Sequence, residues 1–88
     1  MMKKYLVRWN DGKNHSAILN AFGVRRLMRT DYESGRKMQV SVFQLAESDI
    51  YTPPIPMRIF YDWKFDKLSL FSMSGSLVEK TDSRKEAA

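Results

Sequence analysis

Apolar and polar residues alternate from the start of the chain. Tyr5, Val7 and Trp9 fall on one side of an extended segment, and Lys4 and Arg8 fall on the other with Leu6, which predicts a strand over residues 3–9. Asn10-Asp11-Gly12-Lys13 follows. An Asp-Gly pair tolerates positive φ and marks a hairpin turn. The returning strand runs from about His15 to Phe22. It is apolar on both faces (Ala17, Leu19 and Ala21; Ile18 and Phe22), which predicts a place inside the sheet. Residues 21–34 carry two patterns. Val24, Leu27, Met28 and Tyr32 recur at helical spacing, with Arg25, Arg26 and Arg29 on the other side and Gly35 placed to end a helix in the left-handed conformation. The charges oppose the helix macrodipole, with arginines near the start and Asp31 and Glu33 near the end. The rival is a pair of strands, 24–30 and 37–45, joined through residues 31–36. A helix near residues 22–34 is preferred, because a strand would bracket Leu27 between two arginines on one face.

Lys37 to Leu45 alternates as a strand, with Met38, Val40 and Val42 against Gln39 and Ser41. Ala46 to Pro56 reads as a loop, since prolines lack the donor that a sheet interior needs. The strongest alternation comes next. Met57, Ile59, Tyr61, Trp63 and Phe65 share one face. Arg58, Asp62, Lys64 and Asp66 share the other, interrupted only by Phe60. This pattern predicts one wall of the core, with Trp63 buried mid-strand. Asp66-Lys67 links it to a strand over Leu68–Met73. Gly75 then suggests a bulge or turn before Leu77-Val78. Residues 1–79 are expected to form one globular domain, and the polar stretch 80–88 a flexible C-terminal tail. The fold class is α+β: a small antiparallel sheet of about five strands with one helix. The alternative is an all-β, barrel-like meander with a hairpin at 24–45.

Composition narrows the chemistry. The chain has 88 residues and no cysteine. That excludes a disulfide scaffold, a thiolate metal site and a cysteine nucleophile, and it accords with a cytoplasmic setting. No metal or other cofactor is expected. With 43% hydrophobic and 12% aromatic residues, the chain can pack a core. The opening apolar run stops at Arg8, short of the roughly 7–15 residues of a signal sequence. No stretch approaches the ~20 apolar residues of a membrane span, so no membrane partner is expected.

Charge is the most informative departure from an ordinary composition. Residues 1–37 hold nine of the fifteen Lys and Arg and three of the ten acids, a net of +6, which leaves −1 for the rest. A basic half is a surface for something negative. On a helix, Arg25, Arg26 and Arg29 would form a stripe able to grip phosphates, because guanidinium groups stay charged and offer bidentate donors. Lys3, Lys4, Arg8 and Lys13 could join it from the first hairpin. Phe60, the lone aromatic on the polar side of its strand, is the candidate apolar interface residue.

Other constellations are weaker. His15 is the only histidine, and the neighbouring Ser16 points to the opposite face of a strand, so no nucleophilic arrangement is built. Asp62 and Asp66 would stand about 13 Å apart on a strand, beyond the ~5–9.5 Å of paired-carboxylate hydrolases. Pro53-Pro54-Ile55-Pro56-Met57-Arg58 fits a P-x-x-P-x-R pattern but reads better as a stiff connection. Tyr5-Leu6-Val7-Arg8-Trp9 resembles the first strand of chromodomains, which commonly reads Tyr-Leu-Val-Lys-Trp. The resemblance covers five residues, and the later tryptophan–glutamate–proline pattern is missing. It is the match of two strands obeying one alternation rule.

The reading is therefore a small non-enzymatic binding module whose basic surface contacts nucleic acid through phosphates. The alternative is a protein-binding accessory or inhibitor, of the kind phage and plasmid genes encode, that docks an acidic surface of a host protein. A small toxin-like ribonuclease is a third, minor possibility.

Overall fold

Asn20 decides the middle of the chain. In the computed structural model, which describes residues 3–35, 39–45 and 53–82, its side-chain Oδ1 accepts a hydrogen bond from the Gly23 N–H at 2.9 Å and starts helix α1 (Ala21–Ser34). This satisfies one of the donors that every helix start leaves open. Gly35 ends the helix at φ 68°, its N–H bonded to the Tyr32 carbonyl, as its position suggests. Gly23 serves a second need. A Cβ there would meet Leu19 Cβ at 3.1 Å, so glycine lets the first helical turn press against the preceding strand.

Six strands surround this helix in sequence: β1 (Tyr5–Asn10), β2 (Asn14–Leu19), β3 (Ser41–Gln44), β4 (Ile55–Asp62), β5 (Lys67–Ser72) and β6 (Leu77–Asp82). They form one antiparallel sheet in the order β2-β1-β3-β4-β5-β6. The sheet is open, and the fold is α+β, not a barrel. The first hairpin turns through Asp11-Gly12-Lys13, with Gly12 at φ 111° and Asn10 paired to Asn14. β2 lies at the edge, not inside the sheet as its two apolar faces suggest. Its inward residues Ala17 and Leu19 are partly covered, while Ile18 on the other face stays exposed. Ala21 and Phe22 belong to the helix instead.

β4 changes partners along its length. Ile55 and Pro56 pair with Gln44 and Phe43 of β3, and residues 57–62 pair with β5. Pro56 is therefore tolerated in an interior strand, one residue ahead of the ladder to β5. The switch bends the sheet. Tyr5 on β1 donates its phenol O–H to the Glu79 carboxylate on β6. Four strand steps separate these strands in the sheet order, which would be about 19 Å in a flat sheet, so the sheet must curl toward itself.

The helix occupies the concave face. Ala21 and Val24 pack with Tyr5, Val7, Val42, Met57, Leu68 and Leu70 in the core, flanked by Leu27, Met28, Ile59 and Tyr61. β6 runs to Asp82 with Thr81 buried opposite Leu68, so the folded chain extends past the boundary expected at residue 79. Residues 83–88 of the expected tail lie outside the described residues, as do Lys37 and Met38 of the strand expected over 37–45 and residues 46–52 of the expected loop.

Candidate functional site

The helix arginines do not form the open stripe their spacing suggests. Arg25 is only 3% exposed, and its guanidinium is paired with Asp66. Arg29 bonds Glu33 one turn on at 2.8 Å and Asp66 at 3.2 Å. Arg26 is exposed on the same helix. Arg25 and Arg29, which oppose the helix dipole, are engaged by carboxylates, one of them from a distant turn. The expectation that all three arginines lie on the side away from the core is corrected at Arg25.

Asp66 organises this side of the molecule. It closes the turn between β4 and β5 in the left-handed conformation, φ 52°, which aspartate tolerates better than most residues. Its carboxylate accepts from Arg25, Arg29 and the Tyr61 O–H, the last at 2.7 Å. Burial pushes the Asp66 carboxyl pKa up. The hydrogen bonds from Tyr61 and Arg25, with the charges of Arg25 and Arg29, outweigh that and hold it below the usual carboxylate value. Burial and the same carboxylate push the Tyr61 phenol up.

The turn also corrects the expected core. β4 ends at Asp62, so Trp63 and Phe65 leave the strand and stay exposed, at 52% and 64%. Trp63 stacks on Tyr32 of the helix, ring centroids 4.8 Å apart and planes at 13°. Trp63→Ala should therefore cost about 1 kcal/mol, the scale of one aromatic pair, and not the roughly 3–5 kcal/mol of a buried tryptophan. Urea unfolding measures the difference, and a loss above about 3 kcal/mol would return Trp63 to the core.

On the convex face of the sheet, register brings together residues that are far apart in sequence. Phe43 of β3 stands beside Leu6 and opposite Pro56, and Leu6 stands beside Ile18. Arg58 of β4 faces Phe71 of β5, and Phe71 faces Leu77 of β6. Phe60 faces Ser69, which faces Lys80. Phe60 is 61% exposed, while Phe43 and Phe71 are half-buried. The Arg8 guanidinium lies 5.6 Å from the centre of the Phe43 ring. Arg8, Arg58 and Lys80 make no ion pair among the described residues. The described helix lies on the opposite face, so no other described helix or strand packs over this one.

Of the other residues singled out, Lys4 is exposed just ahead of β1, Lys13 is exposed in the hairpin loop, and Lys3 donates to the Val78 carbonyl at 3.4 Å. His15 stacks on Trp9 and bonds Asp11 at 2.8 Å, which holds the Asp11 carboxyl below its ordinary value. Among the described residues, no group of three or more His, Asp or Glu could hold a metal, and no helix is long and apolar enough to cross a membrane. Phe43, Phe71, Arg58 and Lys80 escaped the sequence reading. Phe43 had a visible signal, since it falls on the polar side of its strand with Gln39 and Ser41. Phe71 had none, because its strand is apolar on both faces. Comparisons with protein-family models, curated proteins and solved structures find no match to this chain.

Proposed function

We propose that this protein is a binding module for single-stranded nucleic acid and that the convex face of its sheet is the contact surface. The observation that carries the reading is the interleaving of Phe43, Phe60 and Phe71 with Arg8, Arg58 and Lys80 on an uncovered face, with no acid paired to those three cations among the described residues. Unstacked bases can lie on the rings while the cations meet phosphates. A duplex keeps its bases stacked and could use only the charges. The site therefore moves from the helix stripe to the sheet, retaining Arg8 and Phe60, with Lys4 and Lys13 as peripheral cations.

The test is a titration of a labelled single-stranded oligonucleotide, followed by anisotropy at several salt concentrations. Binding should weaken log-linearly with salt, with a slope of about −0.7 per phosphate contacted. Phe60→Ala should cost about 1–3 kcal/mol of affinity, the scale of one base–aromatic stack. An unlabelled duplex should compete poorly. If wild type binds neither RNA nor DNA strands at low salt, the reading fails. A complex with an acidic protein that survives high salt would instead support an accessory or inhibitor role. Cleavage of an RNA probe during the titration would support the ribonuclease reading.

A further inference from the structure

We infer that the bound strand does not end on the sheet face but continues around the turn between β4 and β5, where Phe65 and the Tyr32–Trp63 stack form a second stacking station. This inference rests on the proposed binding of single-stranded nucleic acid. It concerns the length and path of the ligand.

Continuity between the two surfaces is carried by Lys67. Its backbone sits opposite Asp62 at the end of the convex face, and its ammonium lies 5.5 Å from the centre of the Phe65 ring in the adjoining turn. A cation over a ring marks a place where a phosphate and a base can be held side by side. Phe65 is the most exposed large apolar residue of the described chain, although the alternation of β4 would place it inside. Trp63, beside it, has one ring face on Tyr32 and still exposes half of its surface. A base can extend that pair into a stack of three.

The electrostatics are compatible with a polyanion. Lys64 and Lys67 make no ion pair among the described residues. Two of the acids nearest the turn already hold hydrogen bonds, and a third, Asp82, stands opposite Lys67 across the β5–β6 ladder. Asp62 accepts the backbone N–H of Lys64 at 3.0 Å, and Asp66 is surrounded by Arg25, Arg29 and Tyr61. Beyond the Tyr32–Trp63 stack, these three large aromatics add nothing to the core, so packing does not account for the area they leave exposed.

The experiment compares oligothymidylates of about 4 and about 12 nucleotides, lengths that bracket the range of small single-strand sites. Wild type should bind the longer probe more tightly by well over the statistical factor, with quenching of tryptophan fluorescence. Trp63→Ala and Phe65→Ala should each shrink that length-dependent gain by about 5- to 150-fold, the effect of one lost stack. Trp63→Phe should keep most of the gain and lose the quenching. If both alanine variants retain the full gain, the strand does not follow the turn, and this inference falls while binding on the sheet face stands. If neither probe binds wild type at low salt, the proposed function and this inference fall together.

Discussion

Asp66→Ala is expected to destabilise the protein by about 3–5 kcal/mol, enough to unfold much of a domain this small at 37 °C. The substitution leaves the guanidinium of Arg25, 3% exposed, beside the core without its carboxylate. Removing one member of a buried ion pair carries that order of cost, because the remaining charge is already withdrawn from water and loses its carboxylate. It also strips the Tyr61 O–H of its acceptor and places alanine at φ 52°, where a Cβ is strained and no side-chain oxygen helps. Asp66→Asn keeps the shape and the tolerance for positive φ but not the charge, and should fall between wild type and alanine. Urea or thermal unfolding of the three proteins decides it. Indistinguishable midpoints would mean that the cluster contributes nothing. The pH dependence follows from the sign of the shift. A carboxyl whose folded pKa is depressed stabilises the fold above its unfolded value of about 3.9, and that stability is lost as pH falls through the folded value. The wild-type advantage over Asp66→Asn should therefore be full at neutral pH and shrink on acidification below about pH 4.

The second large effect concerns binding. Combining Arg8→Glu, Arg58→Glu and Lys80→Glu should weaken association with a single strand by at least about 100-fold near 0.1 M salt. It should also make the salt slope shallower by about 2, which is three phosphate contacts at roughly 0.7 each. The fold should survive, because these side chains lie on the uncovered face and make no ion pair among the described residues. Circular dichroism and the melting temperature check that first. Arg26→Glu, on the helix side, should change affinity by less than about threefold. The opposite pattern, with Arg26 critical and the sheet triple variant binding like wild type, would place the interface on the helix, where the basic spacing alone points. The two surfaces are separated by the thickness of the domain, so one set of variants distinguishes them.

Features determined within a few residues were legible in the sequence. Asp11-Gly12 announces the first turn because only certain residues accept positive φ. Val24, Leu27 and Met28 give the helix its inward stripe, and Gly35 its end. The parity of Met57, Ile59 and Tyr61 assigns the inner face of β4, and the same parity exposes Phe60. Each of these depends on side-chain period or turn geometry, which are local properties of the chain. The tertiary structure decided everything that depends on a distant partner. Arg25 and Arg26 are neighbours of the same type. Only Arg25 is buried, because Asp66, 41 residues away, is brought against it. The alternation of β4 runs on through Trp63 and Phe65, but burial stops at the turn, where the chain reverses to begin β5 at Lys67. β2 has two apolar faces and still lies at an edge, because strand order is set by pairing across the whole sheet. Phe43, Phe60 and Phe71 become one surface only through the registers of β3, β4 and β5. Period and turn chemistry place a residue on a face of its own element. Which faces meet, and which remain open to a ligand, is set by contacts between segments whose separation the local pattern does not encode.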